Sequence, residues 1–171
     1  MVLLERNKRN CKSIMSTIIK SEEPIDHWGF LDIKGKTILD LGCGKFSSTI
    51  STADWFLENG ASKVIGVDMG SNEYLDDVHY IQMCIDSKEK LETLIRDFEP
   101  QIIKADIEGA EIHFKELSSL GNTIELAVEY HSSELKETML EVVERHGFTI
   151  QNIYQLNDID LGRMGVIHAK K

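Results

Sequence analysis

The chain has 171 residues, 42% hydrophobic and 28% charged, which reads as one soluble globular domain large enough to bury a core. A formal net charge of −10 disfavours long-range attraction to nucleic acid over most of the surface. No apolar run approaches the ~20 residues that span a bilayer, and Met1-Val2-Leu3-Leu4-Glu5-Arg6 turns charged too early for a signal peptide. Cys11, Cys43 and Cys84 are widely spaced and odd in number, so no disulfide framework or zinc pattern is indicated. A reduced, cytoplasmic compartment is the expectation. One basic cluster stands out locally: Arg6, Lys8, Arg9, Lys12 and Lys20.

In chain order, Leu3, Leu4, Ile14, Met15, Ile18 and Ile19 predict an amphipathic helix over 3–20, ended or offset by Pro24, within an N-terminal segment 1–24. Thr37–Leu41 predicts the first strand. Ser47 or Ser48 is placed to cap a helix that runs to about Asn59 and stops at Gly60. Lys63–Asp68 and Val78–Met83 predict further strands. Asp86 and Glu89 form a capping box for a helix to about Phe98. A fourth strand, Gln101–Asp106, precedes a short helix over Gly109–Leu120. Ile124–Tyr130 is a fifth strand, and a helix over Ser133–His146 ends at Gly147. Thr149–Gln155 and Met164–Ala169 close the chain as a hairpin through Asn157, Asp158 and Gly162. Repeated strand–helix alternation implies a Rossmann-like, doubly wound, mostly parallel α/β sheet. The hairpin adds one antiparallel strand and makes seven in all.

The first strand ends in Asp40-Leu41-Gly42-Cys43-Gly44 and the second in Asp68. A strand, a Gly-x-Gly turn, a helix and an acid ending the next strand make a nucleotide-binding βαβ unit. The glycines admit close approach of a ligand, and the acid is placed for two ribose hydroxyls. That logic narrows the cofactor to a dinucleotide or S-adenosyl-L-methionine. A dehydrogenase would continue to a sixth parallel strand and a separate substrate domain, for which 171 residues leave no room.

This order of elements resembles the class I S-adenosylmethionine-dependent methyltransferases from Lys34 to the C-terminus, within a single domain 1–171 whose core is 34–171. The resemblance implies that Asp40 contacts the methionine part of the cofactor and that Gly42, Cys43 and Gly44 pass beside it. It further implies that Asp68 holds the ribose, with Met69 beside it, and that Asp86 meets the adenine amino group. Capping alone also explains Asp86, and Ile85 is the alternative as an apolar wall for the adenine. Met69, Met83 and Met164 are otherwise of the packing type.

The stretch Ile103-Lys104-Ala105-Asp106-Ile107-Glu108-Gly109-Ala110-Glu111 is similar to the signature after the fourth strand of FkbM-type methyltransferases. Glu129-Tyr130-His131 and Gly147-Phe148 match that family too. The resemblance implies O-methylation of a small hydroxylated molecule. Phe46 stands where the family often has a small residue, and there is little insertion for a substrate lid.

Asp106 and Glu108 fall at a strand end, where open α/β sheets bind ligands; capping the next helix is the structural alternative. Glu129 and His131 share one face of the fifth strand by its period of two. These four are the catalytic candidates, with Asp106 or His131 as base and Glu108 and Glu129 orienting the acceptor. The same carboxylates and imidazole are capable of holding a divalent ion, though their spacing in the sequence does not decide it. Glu111 reads as a solvated or dipole-compensating acid, and His27, His79, His113, His146 and His168 have no site context. Alternatives are an RNA or protein methyltransferase and a non-catalytic cofactor-binding scaffold. The Asn/Asp-Pro-Pro-aromatic motif of nitrogen methylases is absent, since Pro24 and Pro100 are the only prolines.

Overall fold

The computed structural model describes residues 16–18, 27–46, 50–70, 77–155 and 164–171. Its strands are β1 (Ser16–Ile18), β2 (Thr37–Leu41), β3 (Lys45–Phe46), β4 (Ile50–Ser51), β5 (Lys63–Asp68), β6 (His79–Gln82), β7 (Ile102–Ala105), β8 (Glu125–Tyr130), β9 (Thr149–Gln155) and β10 (Gly165–Lys170). Three α-helices are described: α1 (Thr52–Glu58), α2 (Lys88–Phe98) and α3 (Ser133–Arg145). A 3₁₀ helix spans Ala110–Glu116.

Eight strands form one sheet in the order β1-β9-β10-β8-β7-β2-β5-β6, and β3 pairs with β4 apart from it. Strand β10 runs antiparallel between β8 and β9, while the other pairings in the sheet are parallel. The expected parallel core and terminal hairpin are therefore present. The eighth strand is β1, which pairs parallel with β9 through Ser16↔Ile153 to Ile18↔Gln155. This corrects the helix expected over 3–20 at residues 16–18, where edge pairing to β9 takes precedence over the amphipathic pattern. The rest of that helix, Pro24 included, lies outside the described residues, as do Ser47, Ser48 and the hairpin residues Asn157, Asp158 and Gly162.

The central strands alternate between two cores, as a two-residue side-chain period requires. Leu39, Leu41, Ile65, Ile103, Leu126 and Val128 pack on one face with Leu91 and Leu94 of α2 and Met139 and Val142 of α3. Ile38, Val64, Ile102 and Ala127 face the other way, onto Trp28 and onto Ala53 and Phe56 of α1. The sheet is covered on both faces, so its central strands are apolar throughout apart from a few charged exceptions.

Two caps differ from expectation. Helix α1 is capped by Ser51, whose Oγ accepts the Asp54 N–H at 2.9 Å. Helix α2 begins after Ser87, without a side-chain cap. Asp86 instead pairs with Lys90 one turn on at 2.9 Å, a closer source of charge than the backbone amides. Among the described residues, no helix is long and apolar enough to cross a membrane.

Candidate functional site

Strands β2, β5 and β7 lie side by side and stop at one edge of the sheet. Their last residues lock together through the backbone. The Gly42 N–H donates to the Val67 carbonyl at 2.8 Å, and the Asp106 N–H donates to the Leu41 carbonyl at 2.9 Å. Gly42 has φ of 74°, and a Cβ there would fall 1.7 Å from the Asp106 carbonyl oxygen, so only glycine fits. A Cβ on Gly44 would sit 3.2 Å from Asp68 Oδ2. The other Asp68 oxygen, Oδ1, accepts the Gly70 N–H at 2.7 Å. One oxygen thus ends the strand and the other faces the glycine turn.

These residues border a cavity of about 220 Å³. Gly42, Asp68 and Met69 line it from β2 and β5, and Met83 and Ile85 from the segment after β6. Asp106, Ile107 and Glu108 close it from the end of β7. Its walls combine an apolar side with carboxylates at one rim, and Met69 is largely exposed at its edge.

Several anticipated ligand contacts fall elsewhere. Asp40 is fully buried and does not line the cavity. It lies opposite Lys104 in the β2–β7 register, and their charged atoms meet at 3.0 Å, both side chains wholly buried. Thr52 donates its hydroxyl to Asp40 Oδ2 at 2.5 Å. Lys104 Nζ also donates to the Gly42 carbonyl at 2.7 Å and stands 5.0 Å over the Trp28 ring. Burial pushes the Asp40 carboxyl up from its usual range, against the lowering pull of Lys104. Burial acts to lower Lys104, but the charges of Asp40 and Asp106 outweigh it and hold its pKa above the ordinary value. Cys43 is buried behind the turn, with Sγ close against Gly66. Asp86 is exposed on Lys90 and does not line the cavity, whereas Ile85 beside it does.

The four catalytic candidates converge. Nε2 of His131 lies 3.5 Å from Glu129, 3.6 Å from Glu108 and 3.8 Å from Asp106. Asp106 and Glu108 do not meet His131 by strand alternation. Glu108 takes φ of 54°, a left-handed turn. Glu111 holds that turn from within: it is fully buried and accepts the Ile107 N–H at 2.6 Å and the Gly109 N–H at 2.8 Å. Of the two roles expected for Glu111, burial excludes a solvated acid, and its bonds to N–H groups at the start of the 3₁₀ helix fit a dipole-compensating one; burial raises its pKa against those two bonds.

The Glu129 carboxylate, with Asp106 and Glu108 behind it, pushes His131 up to about 9 despite partial burial. Its surroundings favour the charged imidazole over the neutral one. Glu129 moves up too, chiefly because burial disfavours its charge, with His131 opposing.

Lys104, Thr52 and Glu111 were not anticipated as site residues. The sequence does carry a signal for the first. A lysine inside the apolar run Ile102–Ala105 cannot stay buried without a partner, and Asp40 is the one acid within β2.

The FtsJ-like methyltransferase family model matches residues 17–166. A ribosomal protein L11 methyltransferase from Enterobacter sp. (strain 638) is 34% identical over 88 residues, which are 48% of this chain and 26% of that protein. The matched stretch is thus about a quarter of the length of the curated relatives. The crystal structure of magnesium protoporphyrin IX methyltransferase from Synechocystis PCC 6803 with bound SAM superimposes with a TM-score of 0.55 at 14% identity, covering 82% of this chain and 72% of that one. The ribosomal protein L11 methylase from Lactobacillus delbrueckii subsp. bulgaricus gives 0.56 at 14% identity over the same shares, 82% and 72%. At such identities the structures show a shared fold.

Proposed function

The chain belongs to the FtsJ-like methyltransferase family, and from that premise we propose that it transfers the methyl group of S-adenosylmethionine to an acceptor on RNA or protein. The observation that carries this reading is one continuous edge: the Gly42 turn, Asp68 and Asp106 border a single cavity, and Asp106 also belongs to the His131 cluster.

The residues present fit such a cofactor. A Cβ at Gly44 would crowd Asp68 Oδ2 and one at Gly42 would strike the Asp106 carbonyl at the same edge, and Asp68 keeps Oδ2 toward the turn to accept from ribose hydroxyls. Ile85 and Met83 supply an apolar wall for the adenine, and Met69 lies at the mouth. The cofactor supplies an activated methyl group on a sulfonium. Asp40 acts at one remove: with Lys104 and Thr52 it fixes the carbonyl of Gly42 and hence the path of the turn. Alignment of acceptor and methyl carbon is worth on the order of 7–11 kcal/mol in such displacements. The proton-accepting candidates at the cluster are Asp106 and His131, with Glu129 beside them, and a positioned base contributes roughly 10²–10⁴-fold.

A small hydroxylated acceptor, as the FkbM resemblance implied, is not the reading favoured here. The matching family is FtsJ-like, and the curated relative in partial alignment is named for a ribosomal protein. Transfer of label from methyl-labelled S-adenosylmethionine to ribosomal RNA, ribosomal protein and small polyhydroxylated compounds tests the proposal. Incorporation into either macromolecule supports it, and label found only in small compounds overturns the acceptor class. Asp68→Ala should weaken binding of S-adenosylhomocysteine by about 1–3 kcal/mol in calorimetry, and unchanged affinity in a folded variant would reject the ribose role.

A further inference from the structure

We propose that Asp106, Glu129 and His131 form a divalent-cation site at the acceptor side of the cavity. This rests on the methyl-transfer reading for its meaning but not for its test. The three residues offer ligand atoms that all lie within 4.8 Å of one another. They come from the ends of two adjacent parallel strands, β7 and β8, so the sheet itself fixes their spacing. An octahedral ion with bonds of ~2.1 Å places neighbouring ligand atoms roughly 3 Å apart and opposite ones roughly 4.2 Å apart. The observed 3.5 Å and 3.8 Å from Nε2 to the two carboxylates fall in that interval.

A separate observation points to a missing ligand. The Glu129 side chain is only 9% exposed, yet within 4 Å its one oppositely charged neighbour among the described residues is Nε2, at 3.5 Å. That is longer than an ordinary N–H···O bond of about 2.7–3.2 Å, and among the described residues Glu129 accepts no shorter one. Buried carboxylates are normally paired and hydrogen-bonded, or bind metal. Nε2 shows the same gap from its own side: three carboxylates surround it, and none approaches nearer than 3.5 Å. A cation at the centre of these groups would displace the Nε2 proton and satisfy all of them at once.

Two carboxylates and one imidazole suit manganese or magnesium better than a soft metal, because no thiolate takes part. Asp106 also lines the cavity. A cation here would stand beside the acceptor and lower the pKa of an oxygen bound to it. The acceptor class that uses such a site bears a hydroxyl.

Manganese is the probe. In a titration followed by electron paramagnetic resonance, the sextet of free Mn²⁺ should be lost for about one equivalent per chain and restored by excess magnesium. Glu129→Gln and Asp106→Asn should each weaken binding at least tenfold, with folding checked by circular dichroism. Two variants guard against a single misfolded one. Manganese left free at millimolar protein, or bound equally by both folded variants, would overturn the site. S-adenosylhomocysteine binding is measured calorimetrically on the same samples. Cofactor binding without manganese sinks the cation site alone, and manganese binding without cofactor sinks the methyl-transfer reading alone.

Discussion

Strand β8 carries an acid near each end, and each meets a histidine. The two pairs are built in opposite ways. At the start of β8, Glu125 lies 2.8 Å from His168 Nε2 and 3.1 Å from Lys170 Nζ, with the Asp32 N–H at 3.4 Å. Toward the end, Glu129 has His131 at 3.5 Å and two further carboxylates across from it. Burial works against the charge of both acids. At Glu125 the His168 and Lys170 partners outweigh it and the pKa falls below its ordinary range; at Glu129 burial prevails and the pKa rises. One end is closed and satisfied, so it stabilises the fold. The other keeps its polar atoms apart around a gap at the cavity, which is the form expected of a site that binds something. A histidine beside a glutamate therefore carries little functional meaning by itself. The number of bonds already made decides.

A third acid sets the scale for breaking a satisfied pair. Lys104→Met leaves Asp40 buried without its counter-charge, and should cost about 3–5 kcal/mol in urea unfolding. The double variant Lys104→Met with Asp40→Leu should recover most of that loss. A single variant as stable as wild type would show that the pair is not closed.

Asp106→Asn tests the open end. It preserves size and hydrogen bonding but removes the charge needed to accept a proton or ligate a cation. Methyl transfer should fall by roughly 10²-fold or more, with cofactor affinity nearly intact. Full activity would make the cluster structural.

The third test uses the sign of the Glu125 shift. Its folded pKa lies below the ordinary 4.5, so its stabilisation is present above that value and is lost as pH falls through the folded pKa. Glu125→Gln should lower stability at pH 7 by about 1–3 kcal/mol, and should flatten the acid limb of a stability–pH curve. An unchanged curve would refute the closed description.

Glu129→Gln should have the smallest effect. Its folded pKa is raised, so its stabilisation is present below 4.5 and is lost as pH rises through the folded value. At pH 7 the amide removes a buried charge but also the carboxylate that favours charged His131, so the two effects oppose and thermal stability should stay within about 0.5 kcal/mol of wild type. A loss as large as that of Glu125→Gln would erase the contrast between the two ends.

The parts legible in the sequence were those written locally. Strand periodicity, the Gly42 turn and the acids closing β5 and β7 gave the fold and the cavity edge. Convergence of Asp106 and Glu129 followed from parallel neighbours. What escaped depends on cross-strand register and burial. Asp40 looks like a ligand contact until Lys104 is known to lie opposite it. Glu111 looks solvated until the turn at Glu108 folds back over it. The capping role of Asp86 was lost to Lys90, a competition that propensity alone does not rank. Strand period brings His131 to this edge, but its charge depends on how many carboxylates surround it.

The short strand β1 has a consequence for the opposite margin of the sheet. Strand β9 would otherwise present a bare row of amide and carbonyl groups over Ile153–Gln155, and β1 occupies that row. Unprotected sheet margins recruit strands from other molecules. Strand β1 becomes the outer strand there, and a three-residue edge offers a shorter template for such pairing than the seven residues of β9.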